Sequence, residues 1–247
     1  METGAGWPPS PFICLQRMGF GMGQWITNVF GMTPEAIGSA FMQILQYTLE
    51  TVKLFGFTLL FALPLGLVLA FGRMSKFWPV QWLTRLYLLV MRGTPLMLQL
   101  IFFWFGLKLG STIGFSRMET AILAFSLNYA AYFAEIYRGG IEGVPHGQWE
   151  AANVLGFSRA QTFFRIILPQ VIKRVLPPMS NEFMTLVKDT SLARVIAVVE
   201  ITSIAEKILV REMSILPIVI AGIFYLAMNA VVSKGFSIAE KKLSYYQ

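Results

Sequence analysis

Long apolar runs alternate with short basic connections along this chain, and proline and glycine punctuate both. Thr33-Pro34-Glu35 reads as a helix start. A hydroxyl caps, proline stands where its missing N–H costs nothing, and an acid sits at the positive end. The helix that follows should run amphipathically past Glu50 and Lys53, cross an apolar layer over about residues 54–71, and kink at Pro64. A second run, about residues 82–107, is broken at Arg92-Gly93-Thr94-Pro95, where proline disfavours helical geometry before it and glycine eases bending. Further runs at about residues 118–137, 168–187 and 216–238 bring the expected spans to about five. Each approaches the roughly 20 residues that cross a hydrocarbon layer as a helix.

Composition changes the picture from helical to membrane-embedded. The 247 residues are 55% hydrophobic and 13% charged, with a mean hydropathy of +0.61. That is more apolar side chain than a soluble core of this size needs. An all-α integral membrane protein is the expected class, because helices satisfy their own backbone where water is absent.

The net charge of +7 does not indicate nucleic acid, since the basic residues are divided among short loops and segment ends. More of them fall on the side of Arg73, Lys76, Arg138, Arg159, Arg165, Lys173 and Arg174 than on the side of Arg117, Arg194 and Lys207. The positive-inside rule makes the richer side cytoplasmic, with the N-terminus outside and the C-terminus inside. Residues 1–38, rich in Pro and Gly at their start, read as a loosely ordered or interfacial lead-in. A cleaved signal peptide fits that segment poorly. Residues 39–247 read as one membrane domain. The tryptophans, among them Trp78, Trp82 and Trp104, fall near segment ends as interfacial anchors would.

With Cys14 and His146 the only residues of their kinds, the chain offers no internal disulfide, cysteine cluster or two-histidine metal site. It has no Gly-x4-Gly-Lys-Ser/Thr phosphate loop, and no nucleophile, base and orienting group suited to catalysis. No enzymatic activity is expected of it.

Residues 139–167 form the longest connection on the richer side, and it is not generically polar. Glu150-Ala151-Ala152, Leu155 and Phe163-Phe164 imply short helices with apolar faces. Ala151 and Ala152 let a helix seat closely in a groove. Gly156 can take the positive φ that ends one helix and aims the next, and Pro169 suits the first turn of a span. Packing on this chain alone and docking on a partner both fit these features.

The spacing Glu150-Ala151-Ala152, Gly156, Ile166, Leu168-Pro169 resembles the signature of permease subunits of bacterial ATP-binding-cassette importers. Arg92-Gly93-Thr94-Pro95 with Gln99, the stretch from Glu135 through Arg138 to Ile141, and Lys188-Asp189-Thr190-Ser191-Leu192 resemble its polar amino-acid uptake branch, which serves histidine, glutamine, glutamate and arginine. The likeness covers roughly residues 40–240. It implies the type I importer permease fold in the bacterial cytoplasmic membrane, with a cytoplasmic coupling helix. It also implies a dimer with a second copy or a paralogue, ATPase subunits that hold ATP and Mg on their own chains, and an extracytoplasmic amino-acid-binding protein. Glu150, Ala151, Ala152 and Gly156 would then form the ATPase contact. A self-contained secondary carrier or channel for small polar solutes is the competing reading, and it needs no such contact.

Ionisable groups at membrane depth are costly and tend to face a cavity or one another. Asn128, Tyr132 and Glu135 share one helix face; Asn181, Thr185 and Lys188 share another, with Glu182 and Asp189 beside them. Asn128, Glu182, Thr185, Lys188 and Asp189 are therefore the candidates for a substrate pathway. An amino-acid zwitterion needs a cation such as Lys188 or Arg92 for its carboxylate and an acid such as Glu182 or Asp189 for its ammonium. Alternatively these groups hold helices together, Glu135 pairing with Arg138 and Glu182 with Arg92, while Lys188 and Asp189 are surface charge.

Overall fold

The computed structural model describes residues 27, 31–110 and 114–243, and among them every regular element is helical. Trp7, Trp25, Cys14 and most of the lead-in lie outside the described residues. The first helix, α1 (Pro34–Met74), starts at the cap the sequence marks, with the Thr33 hydroxyl accepting from the Ala36 N–H at 3.2 Å. It stays helical through Pro64. Its buried residues recur every four positions, at Leu54, Thr58, Ala62, Gly66 and Ala70. This stripe of mostly small side chains lets α1 approach α4 (Arg117–Glu142) closely, as helices in lipid do. A Cβ on Gly66 would stand 2.8 Å from Phe133 Cβ and 3.1 Å from the Ala130 carbonyl, so only glycine fits there.

The second apolar run is two helices, α2 (Trp78–Gly93) and α3 (Leu96–Gly110). They meet at 108°, a far sharper break than a proline kink in a continuous span. Next comes α4, opened by a capping box between Ser116 and Glu119. On the connection that follows lie two short helices, α5 (Gly147–Val154) and α6 (Arg159–Thr162). A π-helical turn, Phe163–Ile167, then leads into α7 (Leu168–Asp189). A 3-10 turn, Thr190–Ile196, joins α7 to α8 (Ile201–Glu212), and α9 (Leu216–Leu243) closes the described chain.

Among the described residues, two helices, α1 and α9, are long and apolar enough to cross a membrane alone, and the bent α2–α3 pair adds a third segment of that apolarity. Helices α4 and α7 occupy the other two expected positions but carry the polar stripes. Much of α4 is buried within the protein, including Phe125, Tyr129, Ala130 and Phe133, so its polar groups meet protein rather than lipid. The apolar faces of α1, α2 and α9 remain exposed, among them Leu60, Val68, Leu89, Leu226 and Val231. Trp78 and Trp82 are exposed too, close to Lys76 and Arg85 in sequence.

Candidate functional site

The α2–α3 break is built by side chains from both sides of it. Gln99 on α3 donates to the carbonyl of Met91 at 2.9 Å and engages the Thr94 hydroxyl at 2.8 Å. Asn128 on α4 donates to the same Met91 carbonyl at 2.9 Å and to Gln99 Oε1 at 3.0 Å. Both amides are buried. They satisfy backbone that the break frees, which is why non-helical backbone is tolerated here.

This fixed corner forms one wall of a cavity of about 470 Å³. Arg92 and Pro95 come from the break, Tyr129 and Tyr132 from α4, and Glu182, Thr185 and Asp189 from α7. The Arg92 guanidinium lies 5.4 Å from the Tyr132 ring centre and 3.9 Å from Glu135 Oε2. Tyr129 donates its phenol hydrogen to Asp189 Oδ2 at 2.7 Å. One cation and two carboxylates thus face a polar space between helices.

Four of the five pathway candidates meet here: Asn128, Glu182, Thr185 and Asp189. Asn128 has both amide hydrogens committed to the break, so its first task is to hold the wall. The Thr185 hydroxyl donates to the Asn181 carbonyl at 2.9 Å and retains its acceptor lone pairs. Lys188 does not line the cavity and stands exposed at the end of α7. Lys188 lies within the α-helix and shares an outward face with Asn181, seven residues earlier and likewise exposed, whereas Asp189 follows Thr185 at the four-residue spacing that reaches the cavity. Tyr129 was missed, because a tyrosine among Phe125 and Phe133 reads as core; its signal was its place three residues before Tyr132, the spacing that keeps two helical residues on one side.

Glu135 serves the helix-holding alternative. Arg138 lies 2.6 Å from its Oε2, and Arg73 and Arg92 approach at 3.8 and 3.9 Å. It ties α1, α2 and its own helix at one end of the bundle. Glu182 forms no ion pair with Arg92 among the described residues, although both line the cavity.

The α5 segment has a clear local logic. Gly156 takes φ +76°. The Phe157 N–H then reaches back to the Ala152 carbonyl at 3.1 Å and the Gly156 N–H to that of Asn153 at 3.0 Å. These two hydrogen bonds close the helix as a Schellman motif. Glu150, in the first turn, is three-quarters exposed, with His146 3.8 Å away. Ala151 is exposed, whereas Ala152 is buried within its own chain and seats α5 on the bundle. Val154 and Leu155 are 88% and 73% exposed, so α5 carries an uncovered apolar edge beside Glu150.

Residues 62–245 match the family of binding-protein-dependent transport system inner membrane components. The chain belongs to this family. It is a transport subunit with the fold of type I importer permeases. Among the relatives, the L-cystine transport system permease protein of Bacillus subtilis (strain 168) is 39% identical over 198 residues, 79% of this chain and 84% of that protein. An octopine transport system permease protein of Rhizobium radiobacter is 39% identical over 193 residues, 73% of this chain and 79% of that one. Among solved structures, an amino acid ABC transporter crystallised with histidines superposes with a TM-score of 0.74 at 32% identity, covering 81% of this chain and 93% of its own. An inward-facing methionine ABC transporter superposes with a TM-score of 0.64 at 14% identity, a likeness of fold alone.

Proposed function

We propose that this chain is the membrane-crossing subunit of an ATP-driven importer of polar amino acids. Two permease subunits, copies or paralogues, pair in the bacterial cytoplasmic membrane. Their α5 helices face the cytoplasm, the N-terminus lies outside and the C-terminus inside. An external binding protein hands over the solute. ATP and Mg are held by separate ATPase subunits, which engage α5 through Glu150, Ala151 and the turn at Gly156, with Ala152 holding that helix in place. Drawing the two α5 helices together on ATP binding biases the bundle between two states.

The cavity between Arg92, Glu182 and Asp189 carries the substrate side of this reading. A zwitterion matches it group for group: a carboxylate toward the guanidinium and an ammonium toward the two acids. Apolar solutes and simple anions do not. The exposed apolar edge of α5 favours the ATPase-driven reading over a self-contained carrier, which has no use for it. Uptake of a panel of labelled amino acids by vesicles containing the complex tests the proposal. Glu182→Gln and Asp189→Asn should raise KM with assembly preserved, and unchanged uptake in both would refute the cavity's role.

A further inference from the structure

A second polar recess lies away from the cavity, where the π-helical turn runs into α7. It encloses about 510 Å³ and is lined by Arg165, Ile166, Pro169, Gln170, Lys173 and Arg174. The residues fall in two adjacent rows along a continuous helical face, Arg165–Pro169–Lys173 and Ile166–Gln170–Arg174, four apart in each row. Three cations share this groove, and no acid among the described residues lines it. Gln170 also approaches Gln148 of α5 at 3.4 Å, so the groove is physically joined to the proposed ATPase contact.

We infer that this groove binds a phosphate-bearing anion, and that its source is the headgroup of an anionic lipid at the inner face of the membrane. The inference rests on the reading that places α5 in the cytoplasm. Clustered Lys and Arg at the cytoplasmic end of a span attract anionic lipid. The groove's apolar members, Ile166 and Pro169, and the exposed Phe164 and Ile172 nearby offer contact for the glycerol and upper acyl region. A bound headgroup bridges α7 and the segment carrying α5, and steadies that segment for its partner.

Native mass spectrometry of the permease–ATPase complex tests this. Wild-type complex should retain phosphatidylglycerol in preference to phosphatidylcholine. The Arg165→Gln/Lys173→Gln/Arg174→Gln variant should weaken that retention by on the order of a hundredfold, at about fivefold per charge. Lys234→Gln, a charge loss elsewhere on the chain, should leave it intact. Displacement by excess glycerophosphate would assign the same site to a free phosphate, and failure to displace supports the lipid. Equal lipid retention by wild type and triple variant overturns the inference. So does loss of the ATPase from the triple variant with lipid retention unchanged, which would give the groove to that partner. Lipid retention is read without transport, so a failure of the amino-acid reading would appear separately, as absent uptake by the wild-type complex.

Discussion

The Tyr129 hydroxyl donates to Asp189 Oδ2 at 2.7 Å, tying the middle of α4 to the last residue of α7 at the edge of the polar cavity. Tyr129 is buried, so its phenol has little other choice of partner. Tyr129→Phe removes the donor while keeping the ring packing. Hydrogen bonds to charged groups contribute roughly 1.5–3 kcal/mol to stability, so Tyr129→Phe should destabilise the protein by about that much. Thermal unfolding of the detergent-purified chain checks this.

The corner at Thr94–Pro95 depends on two buried amides. Asn128→Leu leaves the Gln99 oxygen without this donor and should destabilise the protein by roughly 1–3 kcal/mol. Gln99→Leu should behave alike. Because both act on one network, the double variant should cost less than the sum of the singles. Thermal unfolding of the detergent-purified chain measures all three.

Gly156 is held at φ +76°, where an added Cβ costs roughly 1–2 kcal/mol. Gly156→Ala should loosen the end of α5 and lower uptake more than it lowers membrane insertion. Glu150→Lys, on an exposed site, should leave the fold intact and weaken stimulation of ATP hydrolysis by the loaded binding protein. ATPase assays with and without that protein separate the two effects.

Glu200 is fully buried at the start of α8, outside the spans. Its carboxylate accepts from the N–H groups of Thr202 and Ser203 at 2.8 and 2.7 Å and from the Tyr225 hydroxyl at 2.8 Å. Glu200→Ala should cost roughly 2 kcal/mol or more, through the lost cap and the lost Tyr225 hydrogen bond. Burial raises the carboxyl above its ordinary value of 4.5, so the fold binds this proton more tightly than the unfolded chain does. That contribution is fully present below pH 4.5 and is lost as pH rises through the folded value. The melting temperature of wild type relative to Glu200→Gln should therefore increase as pH falls from neutral toward 4.5.

Helix starts and stops were legible where local chemistry sets them: Thr33-Pro34, the Gly156 turn, and the break at Arg92 to Pro95. The angle of that break was not, because the clamp that sets it joins Gln99 to Asn128 across 29 positions of sequence. Helical spacing placed Glu182, Thr185 and Asp189 toward one space but also admitted Lys188, since spacing alone does not say which side of the polar stripe faces the neighbouring helices; Asn181 and Lys188 lie on its outward edge. Ala151 and Ala152 looked equivalent in sequence. One faces out and the other in, a distinction set by how α5 leans on the bundle.

On the proposed function, this chain moves amino acids only when driven through α5. The most direct test is accumulation of a labelled amino acid in proteoliposomes containing the permease with its ATPase, loaded binding protein outside and ATP inside. ATP-dependent uptake is expected, lost without the ATPase and strongly reduced by Glu150→Lys with assembly intact. Uptake by the permease alone, driven by an ion gradient and indifferent to Glu150→Lys, would contradict it.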